Sequence, residues 1–255
     1  YNGACMAGQH AEAHYDLIFK QTYPHSIGMF YSAVTKRCGL KPMDEEYITM
    51  GMAAYGDASK AYTTLNKATI RSTNMPSFAN NLHLGIDDIE FLPDVTVEDI
   101  AAAGQQLCEE MVMSTMKRAK YKGKSPNLVY MGGVALNCVA NGVIIREKIF
   151  ENIWIQPAAG DAGGALGAAL SAWHLHHNKE RILPIQGDDM KGAYLGPEYK
   201  AADIKAELEA CGAVYKMLSE CDLIDQVATA LADEKAVGWM QGRMEFGPRA
   251  LGGRS

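Results

Sequence analysis

The chain has 255 residues, enough for one large domain or two modest ones, and its 48% apolar and 21% charged residues are ordinary for a folded globular protein. Acidic residues outnumber basic ones, 30 to 24, and no stretch gathers Lys and Arg into a stripe, so bulk nucleic-acid binding has no electrostatic footprint. No apolar window is long enough to span a membrane, and six cysteines spread from Cys5 to Cys221 without a Cys-x-x-Cys pair point to reduced thiols in a cytoplasmic protein.

The chain begins at Tyr1 and closes on a Gly/Arg-rich run at Ser255, which reads as a piece of a longer protein. From Tyr1 to about Gly56, apolar residues alternate with glycine-containing turns. Within that stretch Ile27, Phe30, Tyr31 and Val34 recur at helical spacing, which predicts a loop entering a buried helix over 26–38. Residues 57–94 are rich in Asn, Thr, Ser and Pro and predict a surface excursion between core elements. Thr96 followed by Asp99 resembles a capping pair. Ile100, Leu107 and Met111 then share one face of a long helix reaching about Lys120, its methionines serving packing rather than metal chemistry.

Next comes a strand at Leu128–Met131, the pair Gly132-Gly133, and a helix near Val139–Phe150. A second strand at Ile153–Ile155 precedes a Gly/Ala-rich helix from about Asp161. Strand, glycine turn and helix, repeated, predict an α/β layer fold. Punctuation by Pro184, Gly187, Gly192 and Pro197 marks a domain boundary, placing one domain over residues 1–182 and a second over 183–255. In the second we expect a helix at Ala201–Ala210, a strand near Val214, a helix near Leu223–Ala232 and a strand at Ala236–Met240.

Gly132-Gly133 after an apolar strand lets backbone approach a ligand without an intervening Cβ, and Asn137 is placed to hydrogen-bond a base or sugar; close helix-to-strand packing is the alternative. Asp161, in the run Gly160-Asp161-Ala162-Gly163-Gly164, suits a metal ion or a ribose at a strand edge, or simply the start of the next helix. The run Gly242-Arg243-Met244-Glu245-Phe246-Gly247-Pro248-Arg249 through Arg254 combines guanidinium forks with exposed backbone N–H groups, a pattern suited to phosphate rather than to a solvated tail. His10 and His14 flank Glu12, but no further ligand follows at zinc spacing, and surface histidines are the favoured reading. His174, His176 and His177 close the Ala-rich helix, where cationic groups complement the helix C-terminus.

Several of these strings occur together and in order: Pro24-His25-Ser26-Ile27-Gly28, Met50-Gly51-Met52-Ala53-Ala54-Tyr55-Gly56, Gly132 to Asn137, Pro157 to Gly163, Tyr194-Leu195-Gly196-Pro197, and Gly242 to Ser255. Taken together they resemble the carbamoyltransferase family of nodulation proteins and antibiotic O-carbamoylation enzymes. The resemblance implies part of an actin-like (ribonuclease H-like) ATPase domain followed by the start of a domain similar to threonylcarbamoyl-AMP synthases. It implies transfer of a carbamoyl group from carbamoyl phosphate, through an ATP-derived carbamoyl-adenylate, to a hydroxyl of a small-molecule acceptor. An actin-like small-molecule kinase and a non-catalytic nucleotide-binding protein are the rival readings.

On that resemblance Gly132, Gly133, Asn137, His25, Ser26, Gly28 and Gly163 would lie at the nucleotide, a cap on the following helix being the alternative for His25, Ser26 and Gly28. Asp161 would be one ligand of a divalent metal of the Fe or Mg/Mn class, and Arg243, Arg249 and Arg254 would hold phosphate groups. His10 and His14 do not correspond to the family's metal-binding histidine pair, which lies further upstream. Ala54 stands where the family commonly has proline, and Gly253 where it has asparagine.

Overall fold

The computed structural model describes residues 3–11, 14–72, 76–86, 92–182, 187–248 and 250. The chain divides into two compact units, Tyr1–His177 and Asn178–Ser255.

The first unit opens with an antiparallel hairpin, β1 (Gly3–Ala11) and β2 (His14–Thr22). His10 pairs with Tyr15 and Ala11 with His14, so the two histidines stand on opposing strands rather than on one helical face. Helix α1 (Ile27–Arg37) follows as expected. Ser26 caps it by accepting from the Met29 N–H, and Ile27, Phe30, Tyr31 and Val34 bury its inner stripe. Its far end closes at Gly39, in the left-handed region at φ 80°. There Gly39 donates to Lys36 and Leu40 to Thr35, satisfying carbonyls the helix would otherwise leave open. The short helix α2 (Glu46–Met52) docks on α1 through a bond from the Thr49 hydroxyl to the Thr35 hydroxyl, 2.9 Å.

Residues 57–94 depart from the expected surface excursion. They hold helix α3 (Tyr62–Thr69) and the paired strands β3 (Ile70–Ser72) and β4 (Ser77–Phe78), and they send Leu65, Phe78 and Leu82 into the core. Phe78 stacks on Phe30 with ring centroids 5.7 Å apart. A few large apolar anchors are enough to bind a polar stretch to a core, even where periodicity is weak.

Helix α4 (Val97–Gly123) is the spine of the unit, 27 residues or about 40 Å long. Thr96 caps it by accepting from the Asp99 N–H, Glu98 and Asp99 complement its N-terminal dipole, and Lys120 and Lys122 complement the other end. Met111 is fully buried and Met116 nearly so, both in the hydrophobic core. The hairpin lies against the end of α4, where the Arg118 guanidinium covers the Phe19 ring at 5.4 Å.

Strands β5 (Asn127–Tyr130) and β6 (Asn152–Ile155) pair in parallel, in register from Asn127 opposite Asn152 to Tyr130 opposite Ile155. Helix α5 (Cys138–Arg146) connects them, and α6 (Asp161–Ser171) follows β6, running into a π-helical turn at Ala172–His176. This is the expected α/β alternation.

The second unit holds α7 (Ala201–Ala210) and α8 (Glu220–Ala232), the latter capped by Ser219. The strands expected near Val214 and over Ala236–Met240 are not formed. A strand exists only where a neighbour takes its backbone hydrogen bonds, and the described residues of this unit supply none there; Val214 stands fully exposed. No described helix is long and apolar enough to cross a membrane.

Candidate functional site: the turns beyond two parallel strands

The C-terminal ends of β5 and β6 lie side by side, and the Gln156 N–H donates to the Tyr130 carbonyl to extend the ladder one step past β6. Beyond that edge each strand turns sharply. Gly132 sits at φ 102° and ψ 163°, a conformation that favours glycine, and its N–H donates to the Ala159 carbonyl at 2.8 Å. The two glycine turns are thereby joined. Met131, Gly132 and Gly133 are exposed, and no atom lies within 4 Å of where a Cβ on Gly132 or Gly133 would stand, so a ligand can approach this backbone closely.

Asn137 is buried at the N-cap of α5, where its Oδ1 accepts from the Ala140 N–H at 3.0 Å. Its amide also forms a reciprocal pair with Gln105 of α4: Asn137 Nδ2 donates to Gln105 Oε1 at 2.9 Å, and Gln105 Nε2 donates to Asn137 Oδ1 at 3.1 Å. Gln105 further accepts from the Tyr31 hydroxyl at 2.6 Å and donates to Glu109 at 2.8 Å. Burial, and secondarily the nearby Cys108, raises the Tyr31 phenol above its ordinary pKa and keeps it a donor. One turn along α5, Asn141 donates to the Ala135 carbonyl at 2.8 Å.

Asp161 opens α6 and is exposed; Gly160, the residue before it, makes no side-chain cap. Two residues on, Gly163 packs its backbone directly on the turn. Its N–H donates to Ala158 at 2.8 Å, and a Cβ there would come within 2.5 Å of the same carbonyl oxygen. Gly163 therefore sets how closely α6 approaches the Pro157–Gly160 turn.

His25, Ser26 and Gly28 reach the same neighbourhood through α1. A Cβ on Gly28 would stand 3.4 Å from Val134, in the turn that Gly132 begins. The Ser26 hydroxyl caps α1, and His25 Nδ1 accepts from the Phe78 N–H at 3.2 Å. Both side chains have structural partners.

In the second unit, the Tyr194–Pro197 string and the Gly242 run come together although about 47 residues separate them. Gly196 donates to the Met244 carbonyl at 2.9 Å, Met244 donates to Pro197 at 3.0 Å, and Phe246 donates to Ala193 at 2.6 Å. Arg243 joins this clasp, donating to the Gly196 carbonyl at 2.9 Å and lying 3.4 Å from Glu198. Its guanidinium is half exposed. Arg249 and Arg254 lie outside the described residues.

The strand edge suits a nucleotide. It offers open glycine backbone, and around it two buried amide atoms, Asn141 Oδ1 and Gln156 Nε2, have no partner among the described residues. It does not complete a metal centre. Asp161 is a single exposed carboxylate, and the described residues contain no group of three His, Cys, Asp or Glu side chains able to hold an ion.

Sequence reasoning passed over Gln105 and gave Tyr31 a packing role alone. One signal was present: Gln105 interrupts a stripe at helical spacing whose other members, Ala101, Cys108 and Val112, are buried and apolar. A polar group at such a position needs an internal partner.

The family model for the carbamoyltransferase N-terminus matches residues 8–170, and that for the carbamoyltransferase C-terminus matches residues 228–255. An uncharacterized protein of Synechocystis sp., sll1178, is 43% identical over 255 residues, covering 91% of this chain and 41% of that protein. Nodulation protein NolO of Bradyrhizobium diazoefficiens is 31% identical over 242 residues, covering 91% of this chain and 43% of its own. Nodulation protein U of Rhizobium tropici is 33% identical over 167 residues, covering 64% of this chain and 26% of its own. The chain thus spans less than half the length of these relatives.

Proposed function

Because the chain belongs to the carbamoyltransferase family, we propose that the protein transfers a carbamoyl group from carbamoyl phosphate, by way of an ATP-derived carbamoyl-adenylate, to a hydroxyl of a small-molecule acceptor. The observation that carries this reading is the match of two carbamoyltransferase models to the two ends of one chain, in the order of their names. On this reading Tyr1–His177 is part of an actin-like ATPase domain, and Asn178–Ser255 opens a domain resembling threonylcarbamoyl-AMP synthases.

Making the adenylate requires water to displace phosphate from carbamoyl phosphate, and the resulting carbamate oxygen to displace pyrophosphate from the α-phosphorus of ATP. Both carbamoyl phosphate and ATP are polyanions that must be held while these displacements occur, so positioning and charge neutralisation dominate. Arg243, Arg249 and Arg254 are assigned that task. Arg243 would exchange its exposed contact with Glu198 for phosphate oxygens while its bond to the Gly196 carbonyl holds the guanidinium in place.

Transfer then needs the acceptor oxygen to attack the carbamoyl carbon, with AMP leaving and the hydroxyl proton passing to a base. The joined turns at Gly132 and Gly160 would present backbone N–H groups to the nucleotide, and Asp161 would stand at their edge, a carboxylate able to accept from a ribose or acceptor hydroxyl. A divalent metal would supply Lewis acidity at the carbonyl when bound. Asp161 can be only one of its ligands, since the described residues hold no group of three His, Cys, Asp or Glu side chains.

The test is mass spectrometry of products formed by the intact protein from ATP, carbamoyl phosphate and a panel of polyols and oligosaccharides. A product heavier by one carbamoyl group is expected. Acceptor phosphorylated without any need for carbamoyl phosphate would instead establish a kinase.

A further inference from the structure

A buried amide pair joins α4 to α5. Gln105 is 6% exposed and Asn137 8%, and their side chains meet face to face across 32 residues of sequence. Every hydrogen-bonding capacity of the Gln105 amide is filled: Oε1 accepts from Tyr31 and Asn137, and Nε2 donates to Asn137 and Glu109. A saturated amide has nothing left to offer a ligand. It can act only through what it holds.

What it holds is the start of α5. Asn137 Oδ1 accepts from both Gln105 and the Ala140 N–H, so Gln105 sets the rotamer in which Asn137 caps the helix. The Asn137 N–H donates to Val134 and the Ala135 N–H to Gly132, which carries that constraint back into the exposed glycine turn. A fully bonded polar cluster among apolar neighbours has one low-energy arrangement, because any rotation strands a buried group.

We infer that Gln105 is a positioning residue of the nucleotide edge, acting through Asn137 to hold the Gly132–Leu136 turn in its ligand-ready conformation. The inference rests on reading that turn as the place where the nucleotide binds, and its test separates the two claims.

In the intact protein, Gln105→Leu keeps the bulk of the side chain and removes all four bonds. Amide hydrogen exchange over Val134–Ala140 should quicken about tenfold, and KM for supplied carbamoyl-adenylate in the transfer half-reaction should rise about tenfold while kcat stays near its original value. Asn137→Ser retains a capping oxygen for the Ala140 N–H but falls short of Gln105. It should reproduce the same KM rise, and the double variant should be no worse than either single one. Leu107→Ala, a fully buried apolar position on the same helix, should lower the melting temperature without moving KM.

Unchanged exchange over 134–140 in both Gln105→Leu and Asn137→Ser would overturn the positioning claim, as would additive effects in the double variant or an equal KM rise in Leu107→Ala. Should Gln105→Leu not fold, Asn137→Ser decides by the same two readouts. Quickened exchange in a protein that does not accept carbamoyl-adenylate at all would uphold the positioning role and remove the nucleotide reading instead.

Discussion

The Gly132 N–H donates to the Ala159 carbonyl at 2.8 Å, and this bond ties together two turns that lie 27 residues apart in sequence. Each turn follows a strand of one parallel pair, and parallel strands require a crossover that returns the chain to the same end of the sheet. Chemistry-bearing residues from Gly132 to Asp161 are gathered at one edge by that topology.

Gly163→Ala tests how closely that edge is packed. The added methyl would overlap the Ala158 carbonyl oxygen, 2.5 Å away, and backbone cannot swing aside as a side chain can. Chemical denaturation should show a loss of about 1–3 kcal/mol, whereas a fully tolerated substitution would mean that α6 is free to shift.

Much of this edge is legible in the sequence, and the reasons are local. The spacing of Ile27, Phe30, Tyr31 and Val34 announces helix α1, Thr96 announces α4 because a capping side chain acts within its own turn, and Gly132-Gly133 announces a turn because few other residues adopt that backbone. The first hairpin is less legible, since β1 contains glycine and alanine and owes its strand form to pairing with β2. Phe78 looks like part of a polar loop until Phe30 is found beneath it. Gln105 and Asn137 are likewise joined only by tertiary structure.

Asp99 should give stability a pH dependence. It is 4% exposed, and the Asp57 N–H, then the Lys60 ammonium, hold its carboxyl below the usual carboxylate range. A depressed pKa contributes stability that is complete above the unfolded-state value of about 4 and is lost as pH falls through the folded-state value. Unfolding free energies of the original protein and Asp99→Asn should differ by a constant amount near neutrality and converge as pH drops below about 4. A difference independent of pH would contradict the assignment.

Cysteine labelling should follow burial. Burial, then Glu109, pushes the Cys108 thiol up to about 12, and burial pushes Cys38 up to about 11, while Cys138, Cys211 and Cys221 are exposed. Brief alkylation of the native protein near pH 8, read by peptide mass spectrometry, should modify those three well before Cys38 and Cys108, because the thiolate is the reactive form. Early modification of Cys108 would mean that α4 opens readily.

The two sets of proposed site residues belong to different units and should separate by half-reaction. In the intact protein, Arg249→Ala should abolish adenylate formation yet allow transfer from supplied carbamoyl-adenylate, and Asp161→Asn should do the converse. Loss of both half-reactions together in each variant would contradict the division of labour.

The most direct measurement is pyrophosphate release from ATP by the intact protein, with and without carbamoyl phosphate and before any acceptor is added. Release that depends on carbamoyl phosphate and is accompanied by AMP once an acceptor hydroxyl is supplied is the result expected of a carbamoyl-adenylate enzyme. ATP converted to ADP at the same rate whether or not carbamoyl phosphate is present would contradict it.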